Sequence, residues 1–272
     1  MARHEKWLLA MLWVSLVLPF DPSSFTLMPG YASEDVRLDD GQMPVYMPRK
    51  ESLEGQMPIY KPRKGTIHGR IGGPSRGQDA AAPSLIALVP DHIAFTIKND
   101  TSLCWYLSTP TSRPVTVTVA HSQRILPILE TSLPPPVRAG IHCVHLRDYG
   151  VTLTEQEQYR WFVTLAVDQD RPSRDVVAGG MIERIPYDEA CMLDLPCSGA
   201  SCDRTAVYRY AASGLWYDAI TCLLELIDHD RDPKLYRMLE ALLRQSGIDL
   251  PTLDLTLVSV LHHPGIGEIQ PL

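Results

Sequence analysis

The chain has 272 residues, enough for one large or two small domains, and 45% of them are hydrophobic, which is sufficient for a buried core. The formal net charge of −7 argues against a general nucleic-acid binder. Proline is enriched at 23 residues, most of them outside the patterned segments. This composition indicates extended linkers and turns rather than long helices.

Residues 1–32 have the organisation of a secretory signal peptide. Arg3 and Lys6 make the start positive, and residues 7–20 form an uncharged, mainly apolar run that is short for a membrane span. Gly30 and Ala32 are small residues at the −3 and −1 positions of a possible cleavage site after Ala32. We therefore expect a periplasmic or extracellular protein. Retention of the segment as an uncleaved membrane anchor is the alternative.

Residues 33–82 are expected to form a basic linker rich in Pro and Gly. It contains a repeat with a period of 14 residues: the first repeat, Gly41–Lys50, reads GQMPVYMPRK, and the second repeat, Gly55–Lys64, reads GQMPIYKPRK. Proline at every fourth position blocks a helix and favours extended polyproline II geometry. Such a basic arm suits contact with a membrane surface or with a partner. A duplicated spacer without a partner is the alternative.

Residues 83–188 have the pattern of a β domain. Apolar and polar residues alternate in several runs, and turn formers separate the runs. Eight strands are predicted, at Leu85–Val89, Ile93–Ile97, Leu103–Leu107, Val115–Val119, Ile125–Leu129, Ile141–Leu146, Tyr159–Val167 and Val176–Ile185. The spacing predicts a mainly β fold, an immunoglobulin-like antiparallel β-sandwich, with a small barrel as the competing architecture.

The six cysteines fall into two groups with different expectations. Cys104 and Cys143 lie in strand-like runs, where they are expected to be buried and could pair across a sheet. Residues 189–202 form a Cys-rich connector, in which two of Cys191, Cys197 and Cys202 could be bridged. This spacing does not match the paired pattern of a zinc site. The sequence leaves the connectivity open.

Residues 203–247 change to helical periodicity, which predicts a helical hairpin or three-helix segment. Asp203 is a suitable N-cap for a first helix that ends near Gly214, and amphipathic spacing then continues through Leu215–Ile227. A third helix is predicted from Asp232, again an N-cap, to Gly247. Residues 248–272 form a tail without a clear pattern.

Three motifs follow one another along the chain: Tyr159-Arg-Trp161, the polar turn Asp168–Asp175, and Gly214-Leu-Trp-Tyr-Asp-Ala219. Over roughly residues 60–247, this order resembles the bacterial exported proteins grouped as domain of unknown function family 928. The resemblance implies export but no biochemical activity. The chain departs from the family pattern at Val167, where a Cys is common, and at Cys104, where an aromatic residue is usual.

The segment Tyr210–Asp230 also resembles a single tetratricopeptide-type unit, with Gly214 at the turn between its two helices. One such unit cannot bury its own apolar face, because these repeats are stabilised by stacking. We therefore expect the helices to pack on the β domain or on a partner.

The polar turn is the densest cluster of candidate site residues. Its carboxylates could hold Ca²⁺, but it lacks the length and the bidentate Glu of a known calcium loop. A hairpin turn, in which Asp caps backbone groups and Arg pairs with a carboxylate, explains the same residues. The residues concerned are Asp168, Asp170, Arg171 and Asp175.

Histidines and aromatic residues supply the other candidates. His121 and His142 lie in predicted strands and are the weak case for a metal site. Six further residues are expected first to pack in the core or between helices and sheet, and alternatively to form an interaction motif: Trp105, Tyr159, Trp161, Trp216, Tyr217 and Asp218.

No nucleophile elbow, phosphate-binding glycine loop or His-Glu-x-x-His motif occurs in the sequence. We therefore predict an exported, non-catalytic binding or structural module of the bacterial envelope, without a cofactor, whose partner is another envelope protein. The alternative is an envelope hydrolase or metal-binding protein that uses the Asp168–Asp175 turn or His121 and His142.

Overall fold

The computed structural model describes residues 56–63, 69–72, 83–167, 171–186, 188–189, 202–250 and 260–262. The described residues all belong to one unit, Ser52–Leu272. The predicted signal peptide, the first repeat and most of the predicted tail lie outside the described residues.

Each of the eight predicted strands is present, and its ends lie no more than four residues from the predicted ends. The strands are β1 Leu85–Ala87, β2 Ala94–Thr96, β3 Ser102–Leu107, β4 Val115–His121, β5 Pro127–Leu133, β6 Gly140–His145, β7 Gln158–Leu165 and β8 Val176–Arg184. A further strand, β9 Val260–His262, lies in the tail for which the sequence predicted no pattern.

The strands form two sheets, as expected for a mainly β, sandwich-like fold. One sheet has the order β1-β3-β6-β9, and the other has the order β2-β8-β7-β4-β5. Most neighbours are antiparallel, but β2 pairs with β8 and β9 pairs with β6 in parallel. The predicted antiparallel sandwich is thus present, except at these two parallel edge pairs. Alternation within a strand shows which face is buried, but it does not identify the neighbouring strand or its direction.

The predicted alternation places one face of β4 and one face of β7 in the core. Val115, Val117 and Val119 are fully buried and lie opposite Leu165, Val163 and Trp161 of β7. Such directly opposed apolar pairs stabilise a sheet through their side-chain contacts. Trp161 thus lies at the centre of the five-stranded sheet.

The other sheet contains a disulfide bond between Cys104 of β3 and Cys143 of β6. The two cysteines are directly opposite in the strand register, and their Cα atoms are 4.3 Å apart. The possible pairing across a sheet is therefore present in the structure. Cys202 and Cys222 are free, whereas Cys191 and Cys197 lie outside the described residues.

Within residues 202–250, all of which are described, the chain forms three helices: α1 Arg204–Ala212, α2 Trp216–His229 and α3 Pro233–Gln245. Both predicted N-caps are present, since Asp203 accepts a hydrogen bond from the amide of Ala206 and Asp232 accepts one from Lys234. Gly247, just after α3, has φ +66°. Within the described part of the chain, no helix is long and apolar enough to cross a membrane.

A short segment before β1 joins the end of α3 to the sheets. We call Gly69–Gly72 the clamp. The Arg70 guanidinium donates to the carbonyl of Val89 and to the carbonyls of Ser246 and Gly247 at the C-terminal end of α3. Ile71 pairs with Gly179 of β8. A cation at a helix C-terminus is favourable because the last carbonyls are otherwise without intrahelical partners.

Candidate peptide-binding site

The N-terminus of α2 is fixed to both sheets by three consecutive residues, Trp216, Tyr217 and Asp218, which we call the helix anchor. The indole of Trp216 donates to the Leu88 carbonyl after β1, at 2.8 Å. Asp218 accepts from the amide of Ile97 after β2, at 3.0 Å. All three side chains are buried, at most 3% exposed. The helix is thus positioned by contacts to three different parts of the β domain.

Tyr217 makes the third of these contacts, to the centre of the five-stranded sheet. Its hydroxyl accepts a hydrogen bond from the indole of Trp161 at 2.7 Å and donates to the carbonyl of Met181 at 3.1 Å. Burial raises the pKa of the hydroxyl above its ordinary value. The phenol therefore stays protonated and can serve both partners.

Asp218 is a buried carboxyl group with an altered ionisation. Burial raises its pKa to about 6, against the opposing effects of Lys98 and of hydrogen bonds from Ile97 and Thr96. Its Oδ1 atom has no hydrogen-bond partner among the described residues. Because this group contacts strand and helix but lines no described cavity, we assign it to the anchoring of α2.

An extended piece of the second repeat crosses the helices beside this anchor. We call Gln56–Arg63 the docked segment. The side-chain amide of Gln245 accepts from the amide of Tyr60 and donates to the carbonyl of Pro58, both at 2.9 Å. The amide of Lys61 donates to the Ala211 carbonyl at 3.0 Å. The segment is held mainly through its backbone, as an extended peptide ligand is held.

Tyr60 is the side chain that enters the protein from the docked segment. Only 7% of it is exposed. Its ring meets Trp216 edge-on, with ring centroids 4.9 Å apart, and its hydroxyl lies 2.8 Å from Nε2 of His92. Burial raises the pKa of Tyr60. A large aromatic residue that fills a pocket and keeps a hydrogen bond for its hydroxyl is typical of an anchor in an interface.

The C-terminal end of the docked segment runs over the turn between α1 and α2. The guanidinium of Arg63 lies above the Phe95 ring, 5.6 Å from its centroid, and also pairs with Glu189. Gly214 in the turn has φ +75°, and a Cβ atom there would lie 2.7 Å from the Lys61 carbonyl oxygen. Glycine is thus required both by the turn and by the close passage of the segment.

The Tyr208 hydroxyl donates to the Gln56 carbonyl. Together these contacts define an arm groove that is lined by His92, Tyr208, Ala211, Trp216 and Gln245. His92 lies between β1 and β2, and the other four belong to α1, α2 and the last turn of α3. The groove provides paired amide donors and acceptors for a backbone, an apolar pocket and a hydrogen-bonding imidazole. This combination can recognise an extended peptide that carries a tyrosine.

The histidines and aromatic residues of the β domain do not form one site. His142 is stacked on Trp105 and its Nε2 contacts the Arg138 carbonyl at 2.8 Å. Trp105 and His142 are fully buried. His121 belongs to the other sheet. The two histidines that were the weak case for a metal site thus lie in different sheets, and each has its own protein partners.

His121 and Tyr159 line a small polar cavity of about 250 Å³. Nε2 of His121 lies 3.0 Å from Glu157, and the Tyr159 hydroxyl accepts from the amide of Thr154 at 3.1 Å. Nowhere in the described ranges do three or more His, Cys, Asp or Glu residues gather as ligands for a metal ion.

The polar turn is described only in part. Asp168 and Asp170 lie outside the described residues, and Arg171 is exposed. Asp175 accepts a hydrogen bond from the amide of Val167 at 3.1 Å, across the base of the turn. In the described part, Asp175 thus stabilises the turn by capping a backbone group, as in the hairpin-turn interpretation of this segment.

The groove residues Tyr60, His92 and Gln245 were not among the predicted site residues. The signal was the repeat itself: a tyrosine between two prolines occurs in both copies. The contact of this tyrosine with Gln245 could not be predicted from the sequence, because Gln245 lies 185 positions after Tyr60 in the chain. Trp216 was predicted, but as packing rather than as a wall of a groove.

The fold and the groove define a two-sheet β protein with a helical cap that binds an extended segment of its own chain. The chain belongs to the family Domain of Unknown Function DUF928, whose model matches residues 71–254. This confirms the resemblance seen in the motifs. No curated protein matches the chain. The tetratricopeptide-type resemblance is not confirmed by these comparisons and stays a prediction.

Among solved structures, the chain is similar to the crystal structure of an engineered protein, with 13% sequence identity and a TM-score of 0.28. The match covers 40% of this chain and 21% of that chain. The chain thus spans about a fifth of that structure, and a likeness of this size carries no argument about fold or function.

Proposed function

We propose that the protein is an exported, non-catalytic binding module whose arm groove recognises extended peptides of the Pro-x-Tyr-x-Pro type. The observation that carries this proposal is the paired hydrogen bonding of Gln245 to the backbone of Pro58 and Tyr60. The side-chain amide of Gln245 bonds to both an N–H and a C=O of the extended segment, so it recognises the peptide backbone. The pocket beside Trp216 recognises the tyrosine side chain. The docked segment is then a ligand supplied by the chain itself.

The place of action that we propose is the bacterial envelope. The support is the signal-like N-terminus of the sequence, together with a disulfide between Cys104 and Cys143, which oxidising compartments favour. The partner is an envelope protein that presents a similar peptide, and the basic arm gives additional contact with a membrane surface. Mass spectrometry of the mature N-terminus after fractionation tests export, and recovery of the intact chain from the cytoplasm would contradict it.

We also infer that the sandwich is immunoglobulin-like. Strands β1, β3 and β6 follow the order of strands A, B and E, and β8, β7, β4 and β5 follow the order G, F, C and C′. Tyr159 starts β7, and its hydroxyl bonds back to the amide of Thr154, as in a tyrosine corner. The disulfide departs from that fold, because it joins two neighbouring strands of one sheet.

Peptide binding can be measured with the full-length chain. The variant carrying both Tyr46→Ala and Tyr60→Ala has no tyrosine repeat left to fill the groove. A fluorescent peptide with the sequence of residues 55–64 should bind this variant saturably, in a fluorescence anisotropy titration, and should bind the unchanged protein more weakly because its groove is occupied.

The control is the same peptide with alanine in place of its tyrosine, which should not bind. A second variant, Gln245→Ala added to the double change, should lower the affinity by about tenfold, since one side chain that serves two backbone groups is lost. Both variants must unfold cooperatively. No saturable binding to a folded double variant would refute the proposed function.

A further inference from the structure

The two repeats differ at only two positions within the stretch that the groove contacts. Val45 of the first repeat stands where the second has Ile59, and Met47 stands where it has Lys61. Ile59 is 63% exposed. Lys61 is also exposed, and its contact with Ala211 is made by the backbone amide. Both differences therefore fall on side chains that do not enter the groove.

Apart from Lys61, whose contact is made by its backbone amide, every residue of the second repeat that makes a specific contact is present in the first. Tyr46 corresponds to Tyr60, whose ring and hydroxyl meet Trp216 and His92. Pro44 corresponds to Pro58, whose carbonyl accepts from Gln245, and Arg49 corresponds to Arg63. The first repeat can thus reproduce the same backbone hydrogen bonds and fill the same pocket.

We propose that the first repeat, Gly41–Lys50, is a second ligand of the arm groove, so that the two repeats of one chain occupy the groove in turn. This inference rests on the proposed function of the groove. It identifies a partner of that site within the chain itself. When the first repeat replaces the second, the docked position moves by one period of 14 residues along the chain. The free chain on the N-terminal side of the groove then becomes shorter by the same number of residues.

The linkers to the clamp decide which repeat is preferred. Gly69 is held by a hydrogen bond from its amide to the Asp91 carbonyl. Residues 64–68 connect it to the end of the docked segment, whereas residues 50–68 would connect it to the first repeat in the same position. The longer connection weakens closure by roughly sevenfold, if both repeats have equal intrinsic affinity. The second repeat should therefore dominate in the unchanged chain, which agrees with its docked position in the structure.

A cycle of four full-length proteins tests the exchange: the unchanged chain, Tyr46→Ala, Tyr60→Ala and the double variant. Hydrogen exchange of the backbone amides reports the occupant, because the amides of Tyr60 and Lys61 are bonded only when the second repeat is docked. Tyr46→Ala should leave this protection unchanged. Tyr60→Ala should remove it and transfer protection to the amides of residues 46 and 47. The double variant should protect neither repeat.

Loss of protection at residue 60 without any gain at residues 46 and 47 would overturn the inference. If the labelled peptide still binds the double variant in that case, the proposed function stands and only the exchange fails. Dilution distinguishes exchange within one chain from binding of the first repeat to the groove of a second chain. Protection of the first repeat that falls as Tyr60→Ala protein is diluted would show binding between two chains, and would overturn the exchange within one chain.

The matched control makes the two repeats identical in the stretch concerned. In a chain with Ile59→Val and Lys61→Met, the linkers alone set the balance, so protection should still favour the second repeat by roughly sevenfold. Equal protection of both repeats would contradict the role given to the linker length.

Discussion

The docked segment packs against Trp216 of the helix anchor, yet the two regions differ in how deeply they are buried and in what they are bonded to. The anchor is buried to within 3% and is bonded to strand-connecting backbone on both sheets. The docked segment buries Pro58 and Tyr60 but leaves Gln56, Met57, Ile59, Lys61 and Pro62 exposed. The anchor therefore belongs to the cooperative fold, whereas the segment has the few buried contacts of a part that opens locally.

This difference predicts that substitutions in the anchor change the free energy of unfolding, whereas substitutions against the segment change only its occupancy. Four variants test this contrast, in order of decreasing expected change in stability.

Trp216→Ala should lower the free energy of unfolding by about 3–5 kcal/mol, the range for truncating a buried aromatic residue. It also removes the wall against which Tyr60 packs, so the docked segment should be released in the same variant. Urea unfolding gives the first result and protease cleavage near residues 56–63 gives the second. A variant that releases the segment at unchanged stability would show that Trp216 serves the groove alone.

Asp218→Asn should flatten the pH dependence of stability. The folded pKa of about 6 lies well above the ordinary pKa of an aspartic acid side chain, about 3.9. The folded state therefore binds the proton more tightly, and this contribution is present below about pH 4 and lost as pH rises through 6. The contribution is about 3 kcal/mol. Urea unfolding of both proteins from pH 4 to pH 7 should give a steeper decline for the unchanged chain, and parallel profiles would contradict the assignment.

Tyr217→Phe removes one hydroxyl from a buried pair and leaves the Trp161 indole without its acceptor. The expected loss is about 1–3 kcal/mol in the free energy of unfolding. Tyr236→Phe is the matched control, since it removes a hydroxyl from a buried tyrosine in a different helix, α3. An equal loss in the two variants would show that the bond to Trp161 has no special weight.

Gln245→Ala should have the smallest effect on global stability, below about 1 kcal/mol, because its two hydrogen bonds to the docked segment belong to a part that opens locally rather than to the cooperative fold. Its effect on the docked segment should be larger, with faster hydrogen exchange at Tyr60 and Lys61. A loss of stability as large as that of Trp216→Ala would place the segment within the cooperative fold.

The strands and helices could be predicted because their signals are local. Alternation in Val115–Val119 and the caps Asp203 and Asp232 are read from neighbouring residues. The parallel pairing of β9 with β6 could not be predicted, because the partner of a strand depends on the whole chain. For the same reason Tyr60 appeared as part of a linker. Proline spacing excludes a helix there, but the groove that receives the tyrosine is assembled from distant parts of the sequence.

From its contacts with α3 and β8, we expect the clamp to limit how far tension on the N-terminal arm reaches into the domain. A force applied toward the N-terminus passes first through the docked segment, which is held by a few partly exposed contacts, and reaches the domain only at Arg70 and Ile71. There the chain is tied both to the end of α3 and to β8. The docked segment should therefore detach first and lengthen the tether, while the sheets and helices keep their structure. In a protein pulled by its arm, the second repeat would detach at a lower force than the domain needs to unfold, and its release would protect the domain.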